Sequence, residues 1–355
     1  MLTPAEQLHQ YCLTNYTICA TDDRLISSWQ GLAYPLHFST LFTTPLWLFG
    51  FYIIMYKTPT IMNPMKWVLL NSHFWFGLVE FGATTLVTPY LFMPIMGAKL
   101  LGLLTWVGVP DSVQIYVTCA VLWILLISMT ALFENRYNNM PMNRYAIEKT
   151  STKIVYYGIR IIVALSLPIP YFVLLPDQGT ARVESLKIWS CPNEIYFTSE
   201  VFIFYTDVKV MTIAVVTLLC SFWIEAGQMA FFIFSCIYYI FFNLSANVSS
   251  KTRQMQQRFL INIILQVGIP LIIIGIPSLV ITAICWLSLA DQALNNILIY
   301  IFSLHASITT IVMILTFKPY REFVIELTAR IFPKQRHVES STNSVSITGL
   351  PVQLT

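Results

Sequence analysis

The chain has 355 residues, of which 56% are hydrophobic and only 10% charged, and its mean hydropathy is +0.68. Soluble domains carry about 25% charged residues, so this composition excludes a water-soluble globular protein. The formal net charge is only +3 and no basic patch is present, which argues against a nucleic-acid partner.

The first 31 residues are polar and lack the basic and then apolar run of a signal peptide, so the first apolar stretch is expected to act as its own signal. Seven apolar stretches follow, and each is long enough to cross a lipid bilayer, which takes about 20 residues of helix. Because lipid offers the backbone no hydrogen-bond partner, the spans must be helices. The sequence therefore predicts an all-α membrane protein, a seven-transmembrane helix bundle over residues 32–317. The predicted spans are 32–56, 67–92, 110–133, 153–175, 212–242, 259–287 and 293–317.

The gap between the second and third spans, from Met93 to Val109, is itself apolar. It could form an extra span only if both neighbours were much shorter. We therefore interpret it as a loop that lies on the outer membrane surface.

The orientation follows from the distribution of Lys and Arg. Of the 20 cations, 14 lie in the gaps after the first, third and fifth spans and after the seventh span. Five lie on the opposite side, and Arg160 lies inside the fourth span. The positive-inside rule then places the N-terminus outside and the C-terminus in the cytosol, so residues 1–31 are expected to be extracellular.

Two segments follow the seventh span. Residues 318–332 place Phe323, Val324, Leu327 and Ile331 on one face, which predicts a short amphipathic helix along the inner interface. Residues 333–355 are rich in Ser and Thr without an apolar period, which predicts a disordered cytosolic tail. This layout is that of G-protein-coupled receptors, although a fold by itself does not establish a function.

Two motifs on the cytosolic side are candidates for coupling to a partner. Glu134, Asn135 and Arg136 close the third span, where an acid near an arginine can form an ion pair that opens when the helices separate. Lys318-Pro319-Tyr320-Arg321 follows the seventh span and could contact a G protein. The alternative for both motifs is a helix end that only marks the membrane interface.

Pro270 and Pro277 lie seven residues apart on one face of the sixth span. Each proline removes a backbone hydrogen bond and kinks the helix. The pair predicts a hinge that lets the inner end swing outward, or alternatively a fixed bend that only shapes the bundle.

Glu80, Glu225 and His305 are candidate ligand-pocket residues in the second, fifth and seventh spans. An ionisable side chain in the hydrocarbon costs about 2.5–3.5 kcal/mol or more, so it is expected to face the bundle interior. The alternative is a protonated, hydrogen-bonded acid within the packing and, for His305, a satisfied core histidine.

Three cysteines, Cys12, Cys19 and Cys191, are expected to face the oxidising outside, where disulfides persist. No cysteine opens the third span, so a bridge between the N-terminal segment and the loop with Cys191 is expected, and both Cys12 and Cys19 are available for it. Asn15-Tyr16-Thr17 is an N-glycosylation acceptor on the same side.

The sequence has no GxSxG, HExxH or P-loop pattern, so we expect neither an enzyme nor a cofactor. The seventh span has no lysine, which excludes the Schiff base of an opsin.

From Tyr11-Cys12 to Phe323 the chain resembles the class H serpentine receptors of nematodes, chemoreceptors of the Str superfamily. Each shared motif is short, but their order along the chain is specific. The motifs are Lys57-Thr58-Pro59, Lys66-Trp67, Asn71 with His73-Phe74-Trp75, Thr88-Pro89-Tyr90, Gly108-Val109-Pro110, Phe133-Glu134-Asn135-Arg136, Cys191-Pro192, Thr206-Asp207, Gln266 with Pro270, Ala293-Leu294-Asn295-Asn296, Leu304-His305 and Lys318-Pro319-Tyr320-Arg321-Glu322-Phe323.

The resemblance implies a receptor in the plasma membrane of sensory cilia. It would detect a small-molecule odorant or pheromone in the outer half of the bundle and activate a heterotrimeric G protein. The resemblance also implies that Cys191 pairs with Cys12, which belongs to the shared pattern, and Glu80 departs from that pattern, which usually has Asp. The alternatives are a seven-helix ligand-gated channel or transporter, which a cytosolic N-terminus would favour, and a membrane-embedded enzyme.

Overall fold

The computed structural model describes residues 2–19, 22–140, 143, 146, 147, 149–242 and 250–331. The predicted disordered tail over 333–355 lies outside these residues. The described α-helices are α1 (Pro4–Thr14), α2 (Trp29–Lys57), α3 (Asn63–Phe81), α4 (Leu103–Trp106), α5 (Asp111–Asn138), α6 (Thr150–Ser166), α7 (Ile169–Val173), α8 (Gln178–Ser185), α9 (Ile195–Thr198), α10 (Val208–Ile237), α11 (Ser250–Leu287), α12 (Gln292–Ser303), α13 (His305–Thr316) and α14 (Lys318–Ile331).

Six helical segments of the described chain are long and apolar enough to cross a membrane: α2, α5, α6 with α7, α10 with the turn after it, α11, and α12 with α13. Helix α3 is not among them because it carries several polar residues. It nevertheless lies in the middle of the bundle against α2 and α5, and its Ser72, His73 and Glu80 are buried. The predicted all-α membrane bundle is confirmed, with α3 as a further helix of it.

Side-chain caps set where two of the spans begin. At the start of α2, Ser28 Oγ accepts a hydrogen bond from the Gly31 N–H at 2.9 Å. At the start of α10, Asp207 accepts one from the Lys209 N–H at 2.8 Å. Both spans therefore begin a few residues earlier than the predicted residues 32 and 212.

The second span ends earlier than the predicted residue 92. A π-helical turn, Gly82–Leu86, ends it, and Thr88 then adopts a positive φ of 41°. Strand β1 (Pro89–Phe92) follows. Pro89–Phe92 is apolar because Tyr90 and Phe92 are buried. Apolarity alone does not distinguish a short buried strand from the end of a helix.

The connector from Met93 to Val109 is not the predicted loop on the membrane surface. It forms strand β2 (Gly97–Leu100), antiparallel to β1, and then the short helix α4. Strand β3 (Phe202–Ile203) completes a three-stranded sheet in the order β1-β2-β3. We call the end of the bundle that carries this sheet the cap end, and the opposite end, which carries α14, the tail end.

The cap end has its own hydrophobic core, in which side chains of β1 and β3 pack with residues of α1, α8 and α9. The hydroxyl of Tyr90 donates to the Ser27 carbonyl at 2.6 Å and accepts from Asn193 Nδ2 at 3.0 Å. Burial raises the pKa of Tyr90 well above its ordinary value, so the hydroxyl remains a donor. The polar N-terminal segment thereby belongs to a folded cap that covers the bundle.

The disulfide of the cap end joins Cys19 to Cys191, so the expected pairing of Cys12 with Cys191 is wrong. Cys12 is a free thiol inside α1, where the neighbouring Tyr11 donates its hydroxyl to the Ser190 carbonyl at 3.0 Å. Cys19 follows a 3₁₀ turn in extended backbone, with its Cα 5.6 Å from that of Cys191. The bridge spans 172 residues of sequence.

The seventh span is broken at Leu304, which separates α12 from α13. At the tail end, α14 covers all but the last residue of the predicted amphipathic helix. Phe323, Val324 and Leu327 lie half-buried on one face, as predicted, whereas Ile331 is exposed.

Candidate functional site

A cavity of about 350 Å³ lies inside the bundle directly below the cap. Residues of α3 and its π turn, α5, α11 and α12 form its walls, and strands β1 and β2 form its roof. The walls are almost wholly apolar and include Val79, Ala83, Ile115 and Phe302. Small-molecule sites in proteins have volumes of about 300–1,000 Å³ and mostly apolar linings, so this cavity has the size and character of a ligand pocket.

The few polar groups in the cavity wall are already engaged with the protein. The hydroxyls of Thr118 and Ser278 each donate to a backbone carbonyl one turn earlier, at 2.8 Å. Gln114 donates its Nε2 to the Val109 carbonyl at 2.8 Å, while its Oε1 has no partner among the described residues. Because this oxygen is itself buried, it does not face the open space, and the wall remains apolar at Gln114.

None of the candidate pocket residues Glu80, Glu225 and His305 lines this cavity, so their assignment to a ligand pocket stays a prediction that this cavity does not support. His305 is fully buried below it, with Nδ1 2.8 Å from the Phe302 carbonyl and its ring against those of Phe76 and Phe302. Since Phe302 is a wall residue, His305 contacts the site only from behind.

Glu80 caps the second half of the broken seventh span. Its carboxylate accepts hydrogen bonds from the Ser307 N–H, at 2.8 Å, and from the Ser307 hydroxyl. Ser307 lies in the first turn of α13, where backbone N–H groups lack helical partners because the chain breaks at Leu304. An acid placed there also interacts favourably with the helix dipole. The break in the neighbouring seventh span therefore explains why a buried acid stands at Glu80.

Glu225 of α10 forms a buried ion pair with Arg160 of α6. Arg160 also donates Nη1 to the Tyr156 hydroxyl at 3.1 Å, and Tyr156 in turn donates to Gln228 at 3.2 Å. Both charges are evident in the sequence, but this pairing was not predicted from it. The signal was available, since an arginine inside a span requires a partner and Glu225 is an acid in the adjacent span.

Pro270 and Pro277 both lie buried inside the continuous helix α11. Pro277 belongs to the cavity wall, whereas Pro270 lies two turns closer to the tail end. The carbonyl of Gln266 is the one that Pro270 leaves without a helical donor, and both polar atoms of the fully buried Gln266 side chain lack partners among the described residues.

At the tail end, Glu134 and Arg136 do not form the predicted ion pair. Residues two apart in a helix point to different faces. Glu134 is buried toward α6 and accepts from Asn138 Nδ2 at 2.9 Å and from the Tyr157 hydroxyl. Asn135 lies between them and accepts from Asn139 Nδ2 at 2.6 Å. The two charges therefore connect α5 to different neighbours.

Arg136 begins a row of contacts that crosses the tail end. Its guanidinium lies over the ring of Phe259 in α11, 5.3 Å from the centroid. The Phe259 ring contacts Phe317, and Phe317 contacts Tyr320, with centroids 5.7 and 5.4 Å apart. Tyr320 is fully buried, and its hydroxyl shares a hydrogen bond of 2.8 Å with Thr58 Oγ1. We call these five residues the tail-end row.

The tail-end row changes the interpretation of the motif after the seventh span. Lys318 and Arg321 are exposed, Pro319 is half-buried and Tyr320 points inward. Lys318 forms an ion pair of 3.5 Å with Glu322, and Arg321 donates to the Leu315 carbonyl at 2.9 Å. In this arrangement only the two cations of the motif present an accessible side chain to a partner.

Asn15, the predicted glycosylation site, lies at the exposed end of α1 in the cap, where its side chain accepts a hydrogen bond from Thr14 at 2.8 Å.

Comparison with known proteins identifies the family. The family model described as "Serpentine type 7TM GPCR chemoreceptor Srh" matches residues 27–330. The chain is also similar to serpentine receptor class H-72 of Caenorhabditis elegans, with 28% identity over 318 residues, which cover 89% of this chain and 91% of that receptor. The chain therefore belongs to the Srh family of seven-transmembrane chemoreceptors.

Proposed function

We propose that this receptor binds a small, predominantly apolar odorant or pheromone in the bundle cavity and activates a heterotrimeric G protein at the tail end. The observation that carries the proposal is that the cavity adjoins a proline of the sixth span and the break in the seventh span. Pro277 of the sixth span and Phe302, next to the break at Leu304, are wall residues. A ligand in contact with both would act where two helices are least regular.

The chemistry of the cavity favours an apolar ligand. Binding of a hydrocarbon ligand against these walls is stabilised by about 25 cal/mol for each Å² of apolar surface that is removed from water. Charged ligands are disfavoured because no charged side chain of the described residues lines the cavity.

The cap end faces outward in this proposal. Three observations support that orientation: the excess of cations on the tail side, the disulfide at the cap end and the exposure of Asn15. We also propose that the protein lies in the plasma membrane of sensory cilia, where molecules outside the cell would have access to its cap.

A ligand can favour one arrangement of the helices only by binding it better than the other. Helix α11 packs mainly against α12 and α13, with few contacts to α5 and α10. Movement of α11 away from α5 would separate Phe259 from Arg136 and uncover the tail-end row. Arg136, Tyr320 and the exposed Lys318 and Arg321 would then meet the G protein.

The test fills the cavity without disturbing the helices. A Cβ atom at Gly82, which lines the cavity, meets no heavy atom within 4 Å, so Gly82→Leu should place its side chain in the open space. Gly227→Leu is the matched control, since Gly227 also has open space around its Cβ but does not line the cavity. Cells carrying each variant are screened with volatile and secreted apolar metabolites, and cAMP, cGMP and calcium are recorded.

We expect a compound that activates the wild type and the Gly227→Leu variant to lose at least about tenfold in potency on Gly82→Leu, with equal surface levels. An equal potency on Gly82→Leu would place the ligand elsewhere. Ligand-evoked current in membrane patches stripped of G protein would instead favour the ligand-gated channel.

A further inference from the structure

Three sulfur atoms meet at the cap end, between the cap and the sixth span. Cys285 Sγ lies 3.4 Å from Met96 Sδ and 3.6 Å from Met93 Sδ. The two methionines flank the turn of the β1–β2 hairpin, and Cys285 lies near the end of α11. Cys285 thereby contacts two methionines that precede it by 189 and 192 positions in the sequence.

The surroundings of this sulfur cluster are apolar. Met93 and Cys285 are each 6% exposed, and they pack with Ile284 and Leu298. The position of Met93 is fixed through its backbone, because Asn295 Nδ2 donates to the Met93 carbonyl at 3.2 Å. Met96 adopts a positive φ of 50°, a conformation that favours glycine, so backbone preference does not explain a methionine there.

We propose that Met93, Met96 and Cys285 form a binding site for a soft monovalent cation, Cu(I) or its analogue Ag(I). Thiolate and thioether ligands select soft cations over hard or borderline ones. A single thiolate with two neutral thioethers also balances one positive charge. The occupied site would be neutral overall, and a neutral site suits apolar surroundings that would penalise a net charge.

The geometry requires only a small adjustment. Metal–sulfur bonds of about 2.3 Å place the ligands of a three-coordinate ion about 4 Å apart, so Cys285 Sγ would move away from each methionine sulfur by a few tenths of an ångström. Methionine side chains have three rotatable bonds and adapt readily. On binding, the Cys285 S–H bond breaks, the proton passes to solvent, and a metal–thiolate bond forms while the thioethers donate lone pairs. No oxidation state changes.

An entry path is present. A second cavity of about 390 Å³ lies beside Cys285 between the cap and the ends of α10 and α11. Polar residues Thr206 and Ser288 line it together with Tyr205, so it can admit a hydrated ion. Among the described residues no group of three His, Cys, Asp or Glu side chains could hold a metal, so a competing hard-cation site is not built from those residues.

The proposal does not depend on the ligand of the receptor and is tested by binding alone. The purified receptor in lipid nanodiscs is titrated with silver nitrate in chloride-free buffer and, separately, with Cu(I) held by bicinchoninate as competitor. Bound metal is counted by mass spectrometry, and thermal stability is followed in parallel. The variants are Cys285→Ser, Met93→Leu and Met96→Leu. Cys236→Ser is the matched control, since Cys236 is also buried in a span but contacts a backbone carbonyl instead of a thioether.

The wild type should bind one equivalent more than Cys285→Ser and should unfold at a higher temperature when loaded. Met93→Leu and Met96→Leu should each weaken binding about tenfold or more, while Cys236→Ser behaves as the wild type. The leucine variants keep the shape of the core, so they remain informative if Cys285→Ser fails to fold. Equal binding by the wild type and the leucine variants, or no bound metal in the wild type, would overturn the site.

Discussion

The two ends of the bundle are held together by different kinds of contact. At the cap end, a disulfide joins Cys19 to Cys191, and Tyr90 and Asn296 donate to backbone carbonyls of the segment before α2, at 2.6 and 2.7 Å. At the tail end, the row from Arg136 to Thr58 consists of ring contacts and a single hydrogen bond. The contacts of the first set are covalent or directional, whereas the second set has only one directional contact, the hydrogen bond between Tyr320 and Thr58.

This difference separates a fixed end from an end that can rearrange. Leaving a buried hydrogen-bonding group without its partner costs about 1–3 kcal/mol, so the cap has one geometry of low energy. A ring contact contributes about 0.5–1.5 kcal/mol beyond its buried area and can re-form with another ring. Switching transitions between packed helices need interfaces of the second kind. We therefore expect substitutions to affect folding at the cap end and signalling at the tail end.

The largest effect is expected from the disulfide. Cys19→Ser removes a bridge that closes a long loop, and loss of such a bond typically costs about 2–5 kcal/mol. Surface expression, measured by antibody labelling of intact cells, should fall severely, and the melting temperature of the purified receptor should fall with it.

Cys12→Ser is the matched control for that experiment, because Cys12 lies on the same segment but is a free thiol. It should leave expression unchanged. The opposite result, loss of expression in Cys12→Ser alone, would reassign the bridge to the pairing that the family resemblance implies.

A smaller effect is expected from replacing either of two asparagines that donate to backbone carbonyls, one at each end of the bundle. Asn296 is fully buried at the cap end, donates to the Ile26 and Ser28 carbonyls, at 2.7 and 3.2 Å, and accepts from Gln292. Asn262 is half-buried near the tail end and makes one bond of 3.1 Å to the Thr316 carbonyl.

Asn296→Ala should therefore cost about 1–3 kcal/mol of stability, and Asn262→Ala about 0.5–1.5 kcal/mol. Thermal unfolding of both variants in the same nanodiscs gives the comparison. Equal losses would contradict the distinction between the two ends.

The bundle itself was predictable because apolar length and cation distribution act directly on the chain in a bilayer. Six of the spans satisfy the same criteria in the folded protein. The cap was not predictable in this way. Tyr90 and Phe92 are apolar like the span before them, and their strand pairs with β2, which in turn pairs with β3 more than 100 residues later. Long-range pairing of this kind leaves no local period in the sequence.

The candidate site shows the same limit. Glu80 and Glu225 were predicted as ligand-pocket residues because acids are costly in a span. The groups that they bind lie on other helices, Ser307 at a helix break and Arg160 in the adjacent span, and the sequence does not show these pairings. The cavity residues could not be identified at all, since residues such as Val79, Ala83 and Ile115 are indistinguishable in sequence from ordinary core positions. A cavity depends on how distant segments pack together, and the local sequence does not show that packing.

An effect on stability as small as that of Asn262→Ala, but with the most informative effect on signalling, is expected in the tail-end row. Tyr320→Phe removes only the hydrogen bond to Thr58 and keeps the ring against Phe317. The net loss should be about 0.5–1.5 kcal/mol. Thr58→Val should cost more, because it also removes the hydrogen bond from Thr58 Oγ1 to the Ile54 carbonyl, and adding Tyr320→Phe to it should cause no further loss. If the row holds the inactive arrangement, that small loss raises the population of the active one, so basal G-protein signalling should rise several-fold at constant surface level. Losses that add fully in the double variant would show that the two hydroxyls act separately. A fall in basal signalling would show instead that Tyr320 belongs to the active arrangement, and the tail end would then be opened by some contact other than this row.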